Sequence, residues 1–462
     1  MPDPHAAETR AIPPANRPTE RQAAAARRAA YPYRFPPDRR ALGGKFTVEE
    51  NARRLLRFFY LERRLSQGLG SWTLSIPDFE VKVETGRHIF QHMDAARRLR
   101  ERLHEQEMRL APIDAFRDEG IDLFLDEMLS AADAPELLVG AHLVAGRALA
   151  TAYRHHIDDT CPVSDAPTVR VLRQILVDYE PMLEWAQAAV AAYVEGGIEE
   201  DRLEGWRWHL SRLLAHIGDI TGADEPAPRP RALRIDAVPY RRGEVPLRDS
   251  RFATFHNTGD YNLADGEPRY PVGTYEDGRL RFVRTQRDEV DAIEAFGTFL
   301  WDIRFKDFDA EYYLARITWD EARHTETGHR ALQTLGYDPY ELPNRLTSST
   351  CRGPMEPAYA MAEINLFGEI GVLKTINSLI DEARARDDSV LAHISDFIRA
   401  DERTHVRNGQ HIIKVMTDLG MQELEQRTRE LFTECLVSLG AVKPDGDIFT
   451  LTREDIEKYI GE

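Results

Sequence analysis

Apolar residues recur along most of this chain at three- and four-residue spacing. Thr47-Val48-Glu49-Glu50 has the form of a capping box and is followed by Leu55, Leu56, Phe58, Phe59, Leu61 and Leu65 on one helical face. An amphipathic helix is therefore predicted from Val48 onward. The same period predicts helices over 78–107, 135–158 and 166–195 and a shorter one before Gly222, which makes 46–221 an all-helical N-terminal domain.

The period then fails. Residues 222–283 are rich in Pro, Gly, Asp and Arg with isolated aromatics, and no helix is expected there. A connector of this length is either a flexible linker or an ordered wrap, and its many aromatics and arginines favour the wrap. Four long helical patterns follow, over 285–304, 308–335, 356–385 and 389–419. Tight turns near Lys306-Asp307 and Arg386-Asp387-Asp388 make two antiparallel pairs, and the long segment from Gly336 to Pro354 crosses between them. A helix over 422–439 completes a bundle spanning 284–440, and 441–462 is a tail with a short helix after Thr452. The expected class is all-α.

Composition adds exclusions. The 462 residues carry a net charge of −18, spread along the chain, which argues against a nucleic-acid surface. Only 1–45 runs the other way, with nine Lys/Arg against four Asp/Glu, and reads as a disordered basic arm. The three cysteines, Cys161, Cys351 and Cys435, are scattered and include no CxxC, so neither a disulfide framework nor a thiolate metal site is expected. With no apolar run of membrane length and no secretory h-region, the expectation is a cytoplasmic protein without membrane contact.

The chemistry lies in a repeated pattern. Asp320-Glu321-Ala322-Arg323-His324 and Asp401-Glu402-Arg403-Thr404-His405 each have a glycine four residues beyond the histidine, Gly328 and Gly409. Glu and His three apart share a helical face, so a carboxylate and an imidazole can reach one ion from adjacent turns. Glu-x-x-His alone is weak, since Glu101/His104 and Glu326/His329 also fit it. The stronger signal is a glutamate on each preceding helix: Glu289 lies 32 residues before Glu321, and Glu369 lies 33 before Glu402. In an antiparallel pair this puts each single glutamate level with its Glu-x-x-His. Four inward carboxylates need compensation, which two cations would provide.

Alternatives stay open at this stage. Glu294 or Asp291 competes with Glu289, and Glu363 competes with Glu369. His329 or His411 is a candidate third imidazole. Asp320 and Asp401 either accept a histidine N–H from a neighbouring helix or face solvent. In the N-terminal domain Glu84, His88 and His92 share a helix face near Glu62, which reads as a second metal site or, since no duplicated Glu-x-x-His occurs there, as a degenerate metal-free copy of the bundle.

Carried by Glu289, Glu321/His324, Glu369 and Glu402/His405, the stretch from Arg287 to Gln410 resembles the ferritin-like di-iron carboxylate superfamily. That resemblance implies a four-helix bundle with two Fe ions (or Mn, or Mn/Fe) and O2 as co-substrate. Glu321 and Glu402 would bridge the metals, Glu289 and Glu369 would be terminal ligands, and each histidine would complete one site. It implies an oxygenase or oxidase acting on a small organic substrate, by C-hydroxylation or amine N-oxygenation, with an external electron donor because no flavin or nicotinamide fingerprint occurs. An iron-binding or iron-oxidising protein without organic substrate is the alternative, as is a radical-harbouring subunit using Tyr312 or Tyr313. A homodimer is compatible with the acidic helix faces. No catalytic residue beyond the metal centre is identifiable.

Overall fold

The structure, a computed structural model, describes residues 19–256, 263–264, 267–442, 449 and 451–460. It is all-α, with strand pairing among the described residues confined to four two-residue strands. Part of the expected disordered arm is ordered: α1 (Glu20–Ala30) is capped by Thr19, although none of its residues is buried. Residues 1–18 lie outside the described part.

The N-terminal helices follow the apolar period closely. They are α2 (Val48–Trp72), capped by the Thr47 hydroxyl, and α3 (Phe79–Glu105), then the short α4 (Leu110–Asp114), α5 (Glu119–Leu129) and α6 (Ala134–Leu138). The chain continues through a π-helical segment, Val139–Gly146, into α7 (Arg147–Asp159), α8 (Ala166–Glu195) and α9 (Glu200–His216). The periodicity gave no sign of α4 and α5, which are shorter than the window over which a helical period shows.

The connector is an ordered wrap over its described length. It contains α10 (Arg234–Ala237), ties Leu247 N–H to Leu74 O at 2.8 Å, and pairs Arg242 with Asp302 at 2.8 Å. Strand β1 (Thr254–Phe255) runs parallel to Asn344–Arg345 in the crossover between the two helix pairs. Strands β2 (Leu263–Ala264) and β3 (Glu267–Pro268) form an antiparallel pair, which makes the crossover strand β4. Helix α11 (Tyr275–Asp288) begins within the region expected to lack helix, where Thr274 caps it and Leu280 and Val283 are buried.

Beyond it lie α12 (Val290–Asp302), α13 (Phe308–Thr334), α14 (Thr347–Arg352) and α15 (Pro357–Glu363). A second π-helical segment, Ile364–Glu369, leads into α16 (Ile370–Ala385), followed by α17 (Ser389–Met416), α18 (Met421–Ser438) and α19 (Arg453–Ile460). The chain reverses at Phe305 and Asp387, both with positive φ, between α12 and α13 and between α16 and α17. Of the C-terminal tail, 443–448, 450 and 461–462 lie outside the described residues.

Helices α11–α12, α13, α15–α16 and α17 pack side by side, and α2 and α3 pack against α12 and α13. One apolar core runs through both groups, from Phe58 and Leu65 to Phe296, Leu300 and Leu314. Cys351 of α14 and Cys435 of α18 are paired, with Cα atoms 5.8 Å apart, so the expectation of no disulfide fails. Cysteines 84 residues apart in sequence were brought together by packing that no spacing rule reveals. No helix among the described residues is long and apolar enough to cross a membrane.

Candidate metal centre

The two single glutamates sit at helix irregularities, and the two Glu-x-x-His pairs on regular helix. Glu289 sits at a break: α11 ends at Asp288, α12 starts at Val290, and Gln286 donates to Glu289 Oε1 at 2.7 Å. The expected continuous helix over 285–304 is thus two helices joined at the candidate ligand. Glu369 ends the π-helical segment, where the extra residue per turn alters the direction in which its side chain leaves the helix. Glu321/His324 and Glu402/His405 sit on uninterrupted stretches of α13 and α17.

The glycines of the repeated pattern explain how close the helices come. A Cβ on Gly328 would lie 2.2 Å from Arg287 N, beside Glu289, and one on Gly409 would lie 2.0 Å from Asn365 Nδ2. Asn365 uses that space to donate to His405 O at 3.0 Å, fastening the π-helical segment to α17. Arg287 is fully buried and donates to the carbonyls of Pro339, Leu342 and Pro343, fixing α11 under the crossover.

The six side chains converge in two sets. Ligand atoms of Glu321, Glu369, Glu402 and His405 lie within 4.8 Å of one another, as do those of Glu289, His324 and Glu402, so Glu402 belongs to both. His405 Nδ1 is 3.0 Å from Glu402, 3.2 Å from Glu321 and 3.6 Å from Glu369. His324 Nδ1 is 3.1 Å from Glu289, 3.5 Å from Glu321 and 3.7 Å from Glu402. Both rings therefore turn Nδ1 toward the carboxylates. Their other nitrogens cross to the opposite pair: His324 Nε2 lies 3.2 Å from Asp401 and His405 Nε2 lies 3.4 Å from Asp320. Arg323 bonds both aspartates. Such outer carboxylates fix ring orientation and turn Nδ1 toward whatever positive charge, proton or metal, the inner carboxylates hold.

The competing residues join neither set, although Asp291 and Glu363 line the cavity beside them. Glu294 is buried in ion pairs with Lys82 and Arg248, Asp291 pairs with Arg345 at 3.0 Å, and Glu363 pairs with Arg352 at 2.7 Å. His329 packs between Phe79 and Tyr340, and the half-exposed His411 pairs with Asp307 at 3.0 Å. Cations sited beside Glu294 and Glu363 answer their charge, whereas burial pushes Asp291 up to about 7 despite Arg352 and Arg248; sequence spacing shows neither. Tyr312 packs against Phe90 and Tyr313 against His411. Their positions on α13 put them about 12 to 14 Å along the axis from Glu321.

Charge at the cluster is unbalanced. Burial pushes Glu289 up to about 8 and drives Glu402 well above the carboxylate range, helped by Glu369. Burial also opposes charge on Glu321, but hydrogen bonds from His324 and His405 outweigh it and hold this carboxyl at about 2. Burial disfavours cationic imidazole too, yet the surrounding carboxylates raise both histidines well above their ordinary value. Protons thus stand in for missing positive charge. Four carboxylates and two imidazoles in this arrangement suit two octahedral, oxygen-preferring cations better than a closed tetrahedral zinc site.

A cavity of about 300 Å³ opens beside the cluster. Its lining includes Glu289, Glu321 and Glu369, the rings of Phe367 and Phe432, and Arg352. In the N-terminal helices Glu62 and His92 meet at 2.6 Å, whereas Glu84 turns outward to Arg87 at 2.7 Å and joins no cluster. No family model, curated protein or solved structure matches this chain.

Proposed function

We propose that the chain is a ferritin-like, non-haem di-iron oxidoreductase that activates O2 against a small organic substrate. The four bundle helices in this reading are α11–α12, α13, α15–α16 and α17. The observation that carries it is the pair of carboxylate–imidazole sets sharing Glu402, each histidine backed by an aspartate from the other pair of helices.

Glu321 and Glu402, each near both histidines, would bridge two ions. Glu289 with His324 would complete one site, and Glu369 with His405 the other. Bound ferrous ions would supply the electrons that reduce O2. The protein's own part is positional. Asp401 and Asp320 hold the imidazoles, the break at Glu289 and the π-helical segment set how the terminal glutamates leave the backbone, and Phe367 and Phe432 line the cavity. Arg352, held by Glu363, gives the cavity a fixed positive wall. Carbon hydroxylation and amine oxygenation both fit a pocket of this size, and electrons from an external donor would complete each turnover.

Metal content tests the reading directly. The parent chain reconstituted anaerobically with Fe(II) should hold about two irons, and Glu321→Ala and His405→Ala should each lose them. A parent that retains no iron after reconstitution overturns the assignment.

A further inference from the structure

The cavity beside the carboxylate centre contains a cation whose donors are not all used. Arg352 of α14 is only 9% exposed and lines this cavity. Its Nε donates to Glu363 at 2.7 Å, while Nη1 stands 3.8 Å from Asp291, beyond hydrogen-bond length. Neither Nη group has a hydrogen-bond partner among the described residues. Burial opposes charge on this guanidinium, but Glu363, Asp291 and Glu369 outweigh it and keep it cationic. Ser348, one turn earlier on the same helix, is buried and lines the same cavity, and its hydroxyl makes no hydrogen bond among the described residues. A guanidinium presents N–H groups in a fixed fork that matches a carboxylate, and such donors left without an acceptor in a nearly closed site are unfavourable.

On the di-iron reading, on which this inference rests, we propose that Arg352 and Ser348 bind the carboxylate of a small organic acid that is the substrate of the metal centre. Glu289, Glu321 and Glu369 line the same cavity as Arg352, so a molecule anchored there lies against the centre. Charge favours an anion once the ions are in place. Two divalent ions offset the four glutamates of the two sets, and the other charged side chains of the described lining are Asp291 and Glu363 against Arg345 and Arg352. An entering carboxylate thus meets a lining without net charge and a guanidinium with open donors. Size narrows the acid further. A cavity of about 300 Å³ takes about ten non-hydrogen atoms at roughly 30 Å³ each, the share of one water in the liquid. Ile364, Phe367, Phe432 and Leu436 make much of the remaining lining apolar, which suits a short hydrocarbon body.

The test uses the full chain, reconstituted anaerobically with Fe(II) and assayed for iron. Calorimetric titration with hexanoate, hexanamide and hexylamine then compares ligands that share one body and differ in charge. Hexanoate should bind about 10-fold or more tighter than the other two. Arg352→Gln should weaken hexanoate binding about 10- to 100-fold and erase that preference, with about two irons retained. Because this change leaves Glu363 unpaired, Arg352→Gln/Glu363→Gln, which removes the buried pair together, is measured beside it and should behave alike. An amide or amine that binds as well as the acid, or no binding of hexanoate, overturns the inference. So does a preference that survives both variants, which would place the carboxylate on iron alone, or loss of iron from both, which would make Arg352 a support of the centre. A parent that holds no iron overturns the di-iron reading too, whereas an iron-loaded parent without the preference overturns only the carboxylate assignment.

Discussion

The two polar clusters of this protein are built on similar helical frames yet resolve their electrostatics in opposite ways. Each has a glutamate on its first helix, Glu62 or Glu289, and each has a third helix interrupted by a π-helical segment, Val139–Gly146 or Ile364–Glu369. Around Glu62 the other positions carry tyrosine and histidine, and two hydroxyls and an imidazole satisfy the single carboxylate. Around Glu289 three further glutamates gather, and the two imidazoles cannot answer them all. The number of carboxylates, rather than the frame, determines whether a buried cluster demands cations.

Isosteric substitutions sharpen that contrast most. Glu62→Gln replaces two acceptor oxygens with one and leaves donors among Tyr153, Tyr179 and His92 unmatched. In metal-free protein it should destabilise by about 3 kcal/mol. Glu402→Gln removes a carboxyl already forced toward its neutral form and should leave metal-free stability unchanged or raised, while metal binding is lost. Urea denaturation of both variants after chelation provides the comparison. Equal losses would mean that the two clusters do not differ in charge balance.

Much of this was legible in the sequence, for identifiable reasons. Helix positions followed from apolar spacing, and the six clustered residues followed from a duplicated pattern whose period the antiparallel pairs preserve. Interruptions were not legible. The break at Glu289 and both π-helical segments lie within apparent helical periodicity, and the π-helical segments are buried nearly all round, so they present no one-sided stripe in which a slip of phase would show. The partners of Glu294, Asp291 and Glu363 come from the connector, the crossover and α3, so only the fold could separate these residues from ligands. The meeting of His142 with His88 and His92 was likewise invisible, since the histidines stand 50 and more residues apart with no shared motif.

A smaller effect should follow from the crossed aspartates. Asp401→Asn or Asp320→Asn keeps the shape but weakens the hold on His324 or His405 Nε2–H. Fe(II) affinity should fall about 10- to 100-fold in each, without loss of fold. Competition with a calibrated chelator measures it. An unchanged affinity in both would reduce the aspartates to partners of Arg323 alone.

The smallest effect concerns protons on His142. Burial holds it at about 3, against an ordinary value of 6.5, so folded chains bind fewer protons than unfolded ones between these limits. Its contribution is therefore fully present above pH 6.5 and is lost as pH falls from there toward 3. Glu289 acts in the opposite sense: raised to about 8, it favours the folded state at low pH and loses that contribution as pH rises. The parent's pH profile mixes the two, but the carboxylate centre is common to parent and His142→Phe, so their difference reports His142 together with its effect on the adjoining His88. In metal-free protein between pH 5 and 6.5, the variant should lose less stability on acidification, by up to about 1.4 kcal/mol per pH unit. Parallel profiles would mean that His142 is solvated enough to titrate normally, and that the N-terminal cluster is wetter than the carboxylate centre.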